Sequence, residues 1–162
     1  MRLLLALVAA ALGGAATAAS AEKPQLDLIG FFTGRTHAVS EIKVAFRRPL
    51  GHVTHSVGRR AANGDLILVD TIKEEGEPKK ERRWVMRRSG PNSFTGSMSE
   101  ATGPVKITVA GNRATIRYKM KGGISIDQRL TQLNPRTLSN HVSARKLGIR
   151  LGRLEGTIRN LD

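Results

Sequence analysis

The chain has 162 residues, 27 of them basic and 13 acidic, and no cysteine. That length is enough for one domain with a real core, and the missing cysteines exclude a disulfide frame, a thiol nucleophile and a cysteine metal site. A formal charge of +14 favours polyanionic partners, whereas 4% aromatic residues argues against a base-stacking nucleic-acid platform.

Met1-Arg2 is a short positive start, Leu3 to Leu12 an apolar run, and Ala19-Ser20-Ala21 a small-x-small cleavage pattern. Residues 1–21 therefore read as a secretory signal peptide. Residues 22–162 are expected to be a single exported, periplasmic domain, soluble once the leader is removed. Losing Arg2 takes one of the 27 basic residues and leaves +13. No later segment approaches the ~18 apolar residues of a membrane span.

After a polar lead with Pro24, Leu26 to Phe32 is apolar at mixed spacing and reads as one helical turn running into a strand. From Gly34 on, the pattern is almost all of period two. Ile42, Val44 and Phe46 alternate with Lys43, Ala45 and Arg47, and Val53, His55 and Val57 with His52, Thr54 and Ser56. Asn63-Gly64 signals a type I′ turn. Then Leu66 to Ile72 and Arg82 to Met86 flank Glu75-Gly76-Glu77-Pro78, a hairpin with a longer loop. Folded symmetrically about Gly76, it opposes Leu66 to Met86, Leu68 to Trp84 and Asp70 to Arg82, all six on one face. The basic run Lys79-Lys80-Glu81-Arg82-Arg83 is then a hairpin flank rather than a nucleic-acid signal.

Further alternation covers Val105 to Val109, Ala114 to Met120, Ile124 to Leu130 and Leu138 to Ala144, with turns at Gly90-Pro91-Asn92, Gly111-Asn112, Gly122-Gly123 and Asn134-Pro135. Ile149 and Leu151 are out of step with Leu154 and Ile158, which a β-bulge at Gly152 would correct. About eight to ten short strands joined by tight turns, with no helices between, predict an all-β antiparallel up-and-down barrel with room for side chains or one small ligand.

The inward phase selects the polar residues Asp70, Arg82, Trp84, Tyr118, Gln128 and Asn140 as candidates to line a ligand cavity. Asp70 and Arg82 are expected to pair, so that removing Asp70 would strand a buried guanidinium. Lys43, Arg47, Arg83, Arg87, Lys106, Arg113, Arg117, Lys119, Arg153 and Arg159 fall on the opposite, outer faces. His52 and His55 are three apart and face opposite ways on a strand, which argues against joint chelation. No nucleophile elbow, P-loop or His-Glu-x-x-His is present. No catalytic residue, metal or cofactor is therefore assigned, and the chain is expected not to be an enzyme, a hydrolase with unrecognised residues being the remaining alternative.

Phe31-Phe32-Thr33-Gly34, Leu68-x-Asp70, Glu75-Gly76-Glu77, Arg82-x-Trp84, Phe94-Thr95-Gly96, Gly111-Asn112 with Tyr118, and Asn140 with Lys146-Leu147-Gly148-Ile149 and Gly152 follow one another in order. On these the chain resembles a bacterial family of unknown function, envelope proteins and lipoproteins with a single lipocalin-like barrel. Asp70 stands where that family more often has Glu, and the lipidation cysteine is missing. The resemblance implies fold and compartment, and no reaction. The expected partners are a small apolar or amphipathic ligand inside the barrel or, alternatively, anionic envelope lipid or polysaccharide on the cationic exterior, and not nucleic acid.

Overall fold

The structure, a computed structural model, describes residues 25–162. The leader, its cleavage site and the polar lead through Pro24 lie outside them.

Asp27 starts α1 (Leu28–Phe32) by accepting a hydrogen bond from the Gly30 N–H at 2.9 Å. Leu28, Ile29, Phe31 and Phe32 are all buried, and Thr33, extended, hands the chain to the first strand. Ten strands follow: β1 (Gly34–Val44), β2 (Leu50–Arg60), β3 (Leu66–Glu74), β4 (Lys80–Gly90), β5 (Ser93–Met98), β6 (Val105–Ala110), β7 (Arg113–Met120), β8 (Ile124–Asn134), β9 (Thr137–Lys146) and β10 (Ile149–Asn160). Each pairs antiparallel with its neighbours in sequence, and β10 pairs with β1, so the sheet closes into an up-and-down barrel with no free edge. A short 3-10 turn, Lys121–Gly123, joins β7 to β8.

The β3–β4 register is the expected one: Leu66 opposite Met86, Leu68 opposite Trp84, Asp70 opposite Arg82. The β9–β10 register slips between Arg150 and Gly152, which restores the inward facing of Leu154 and Ile158. Two expectations fail. At Asn63-Gly64 only Gly64 takes positive φ. Gly64 N–H bonds the Ala61 carbonyl, and Asn63 Oδ1 accepts from the Asp65 N–H, so the turn is a three-residue loop with a left-handed glycine rather than a type I′ turn. In β2, moreover, the apolar alternation points the wrong way, whereas in β1 Ile42 does face inward. Thr36, Ala38 and Ser40 face inward with His52, Thr54 and Ser56, whereas Val39 and Val57 face solvent, and Phe46 falls in the turn beyond β1. In a closed barrel one wall can be polar inside where the opposite walls supply enough apolar surface.

The two ends of the barrel differ. The turns at residues 61–65, 91–92, 111–112 and 135–136 share one end with α1, whose neighbours are β1, β2 and β3. There Leu28, Leu66, Ile107, Leu130 and Leu138 are essentially inaccessible to water. Gly58 makes this seat: a Cβ on it would stand 1.7 Å from the Phe32 carbonyl oxygen. At the other end Ile72, Met98 and Val105 are buried, but many inward positions are only half-buried, among them Ile42, His52, Glu74, Arg82, Glu100, Met120, Ile124 and Leu154. The barrel is plugged with apolar side chains at the α1 end and becomes polar toward the open end.

Candidate functional site

The polar side chains converge on the inner wall of β2, β3 and β4. Asp70, buried, accepts hydrogen bonds from Ser56 Oγ at 2.7 Å and Trp84 Nε1 at 2.8 Å. It does not pair with Arg82, although the two face each other across the ladder. Arg82 reaches instead to Glu100, after the end of β5, with both Nε and Nη2 donating to Oε2, at 3.2 and 2.7 Å. The expected Asp70–Arg82 pair is thus corrected: Trp84 and Ser56 satisfy the carboxylate, and a closer acid takes the guanidinium. Burial pushes the Asp70 carboxyl above the usual aspartate range, opposed by the two hydrogen bonds and by the nearby charge of Arg82.

His52 lies beside this cluster. Its Nε2 is 3.3 Å from Thr54 Oγ1 and its Nδ1 3.7 Å from a Glu74 carboxylate oxygen. Burial lowers its pKa, against the pull of Glu74, which keeps the ring neutral near pH 7. Its partner in sequence, His55, points outward and stacks on His37 with centroids 4.6 Å apart. Tyr118 stands edge-on to Trp84 with ring centroids 5.6 Å apart, and burial raises its phenol pKa. Gln128 and Asn140 face inward as expected but bond each other at 2.9 Å. Among the described residues, three buried inward atoms have no hydrogen-bond partner: Thr36 Oγ1, Ser40 Oγ and His52 Nδ1.

Of the six residues selected from sequence, Asp70, Arg82, Trp84 and Tyr118 come together, while Gln128 and Asn140 satisfy each other on the β8–β9 wall. Sequence reasoning missed Ser40, His52, Thr54, Ser56, Glu74 and Glu100. The β2 alternation did set His52, Thr54 and Ser56 on one face, but Val53 and Val57 made that face look like the outer one. Chemically, the cluster offers donors and acceptors of both charges beside two aromatic rings, an arrangement suited to orienting one polar group of a mostly apolar molecule.

Two clefts border the sheet. One, of about 880 Å³, runs along β6–β10, lined by the outward cations Arg117, Lys119, Arg129, Arg145 and Arg153 and also by the inward residues Tyr118, Ile126, Val142 and Leu154. Ser143 borders it with a buried, unpartnered hydroxyl, while Arg117 pairs with Asp127 at 2.9 Å. Tyr118 alone of the six candidates borders it. A second cleft, about 630 Å³, lies at the α1 end between Phe31, Asn112 and Arg136.

Solved structures with this architecture include two of low sequence identity. The S-type phycobiliprotein lyase from Guillardia theta superposes with a TM-score of 0.65 at 7% identity, over 83% of this chain and 91% of that one. A protein of unknown function from the DUF3598 family of Nostoc punctiforme superposes with a TM-score of 0.66 at 9% identity, over 86% of this chain and 51% of that one. The barrel is lipocalin-like, as expected. The expectation that the chain is not an enzyme is overturned at this point: a barrel of the same fold is a lyase, so neither the architecture nor the lack of a familiar motif argues against catalysis. No curated protein matches the chain. The family model described as "Protein of unknown function (DUF3833)" matches residues 5–160, and the chain belongs to that family.

Proposed function

We propose that this protein is exported and holds one small amphipathic molecule in the open half of the barrel, its apolar part against Trp84, Tyr118 and Met98 and its polar group toward Asp70, His52 and Arg82. The observation that carries this is the set of buried inward polar atoms without a partner, Ser40 Oγ and His52 Nδ1 above all. Such atoms cost about 1–3 kcal/mol each when left unpaired, so a folded barrel retains them where something else bonds them. The half-buried state of the open-end positions and the lipocalin-like fold support the same reading.

The test is titration with N-phenyl-1-naphthylamine, a neutral apolar probe that the cationic exterior does not recruit. One saturable site per chain is expected, with Trp84 emission changing as it fills. Ser40→Leu together with His52→Leu should weaken the probe at least about tenfold by covering the polar wall. Unsaturable binding, or Trp84 emission indifferent to the probe, would refute the interior site. Intact mass of protein recovered from the periplasm should correspond to a chain beginning at Glu22; Met1 retained would refute export by cleavage.

A second reading rests on the cleft along β6–β10. Its cations and the unpartnered Ser143 hydroxyl suit a segment of anionic polysaccharide. Retention on such a polymer should fall with salt and be lost in Lys119→Glu/Arg129→Glu/Arg145→Glu with probe binding intact. Salt-indifferent retention would rule it out.

A further inference from the structure

Large apolar side chains are exposed at the open end in a way the fold does not require. Phe46, in the β1–β2 turn, is fully exposed; in and beyond the β9–β10 turn Leu147 is 92% and Ile149 69% exposed, and Val44 and Leu151 add to them. The two turns are neighbours, because β1 and β10 pair down to Val44 opposite Gly152. Phe46 and Leu147 are also the two non-glycine residues with positive φ, 61° and 49°, among the described residues. A bulky side chain in that region is strained by about 1–2 kcal/mol. Asn or Gly would suit both the backbone and the solvent better. Each tip thus carries its apolar side chain against two local preferences, and no contact among the described residues offsets the loss.

The surroundings are predominantly cationic. Residues 43–50 and 145–154 contain Lys43, Arg47, Arg48, Arg145, Lys146, Arg150 and Arg153 and not a single Asp or Glu. Of the acids nearby, Glu41 meets Lys43 at 3.0 Å and Glu75 meets Arg48 at 2.8 Å, while Glu155 lies near Lys43 and Arg153; Arg47, Arg145, Lys146 and Arg150 have no acid partner among the described residues. An apolar tip ringed by cations repels a second copy of itself. A hydrophilic polymer gives the apolar side chains nothing to enter. An anionic bilayer meets both demands: acyl chains take the tips, headgroup phosphates take the guanidinium and ammonium groups, and long basic side chains snorkel between the two.

We propose that the paired β1–β2 and β9–β10 tips are a membrane-docking surface, with Phe46, Leu147 and Ile149 entering the interface of an anionic leaflet and Arg47, Arg145, Lys146 and Arg150 on its headgroups. Docked so, the barrel presents its open end to the bilayer and α1 to the aqueous side. The docking does not depend on what the barrel holds.

The absence of cysteine in the chain makes the test clean. Phe46→Cys, Leu147→Cys and Leu133→Cys, the last at the α1 end, are each labelled with an environment-sensitive nitrobenzoxadiazole dye and mixed with phosphatidylcholine vesicles, with or without phosphatidylglycerol. Blue-shifted, brightened emission is expected at positions 46 and 147 with phosphatidylglycerol present, weakening at least about tenfold from low to high salt. Leu133→Cys should stay unchanged. An anchor upstream of Leu26 would bring the α1 end to the lipid, so a response at 133 without one at 46 and 147 overturns the proposal, as does no response at the tips. Phe46→Asn/Leu147→Asn, which keeps the backbone and removes the apolar tips, should lower vesicle affinity at least about tenfold with probe binding and melting temperature undiminished. Full vesicle affinity in that variant would also overturn it.

Discussion

A carboxylate taken out of water holds its proton more tightly, and Asp70 shows this. Its folded-state pKa lies above the unfolded value, so its contribution to stability is fully present below the unfolded pKa, near 3.8, and is lost as pH rises through the folded pKa. Asp70→Asn removes the titration while keeping an oxygen to accept from Trp84 Nε1 and an amide to donate to Ser56 Oγ. Denaturation from pH 3 to 7 should therefore show the Asn variant gaining on the natural protein as pH rises; a gain by the natural protein would reverse the assignment. Asp70→Ala leaves the buried Trp84 N–H without its acceptor and should cost about 1–3 kcal/mol, with Arg82 still held by Glu100. Hairpin symmetry made Asp70, Arg82 and Trp84 legible as one inner row. The partner of Arg82 was not: continuing the β4–β5 register, Trp84 opposite Met98, sets Glu100 across from Arg82, but Glu100 lies past the end of β5, where no alternation marks it. A backbone register follows from a turn, but the direction a long guanidinium takes follows from whichever acid is nearer.

Among the elements, those whose alternation is apolar on one face and charged on the other were readable, as in β6, β7 and the β3–β4 hairpin. The β1–β2 pair was not: its inner face is Thr, Ser and His, and periodicity weighs only apolar residues. That pair is also the wall carrying the unpartnered polar atoms, so local rules gave way where the proposed site begins. The helical turn was legible as a short apolar cap, but its seat was not. Gly58 reads as an ordinary strand glycine until Phe32 is laid on it. Gly58→Ala puts a methyl into the Phe32 carbonyl and must lift α1 or bend β2, a cost of about 1–3 kcal/mol for overpacking. Lower thermal stability with easier proteolysis near residues 25–33 is the expected result. An unchanged melting temperature would mean that α1 is not seated on β2 in solution. Gly64→Ala, with open space around it, acts through its positive φ alone and serves as the comparison.

Across the whole molecule the barrel is polarised along its axis. Apolar side chains from nearly every strand meet under α1, whereas the open end carries half-buried polar residues, exposed apolar tips and a dense set of cations. Burial of a Leu or Phe contributes about 1.5–3 kcal/mol, so the α1 end holds most of the cohesive energy while both ends share one hydrogen-bonded sheet. Local opening should therefore start at the open end. In native-state hydrogen exchange, amides of Leu66 to Leu68, Ala114 to Ile116 and Leu138 to Asn140 are expected to exchange only by global unfolding. Those of Ala144 to Leu151 should exchange through smaller openings, with little dependence on denaturant. A small molecule that fills the open half adds contacts where the sheet lacks them, so it should slow the second group and leave the first limited by global stability. Uniform exchange along β9 and β10, free or bound, would mean that the barrel is equally cohesive throughout and that its polar half is not the adjustable end.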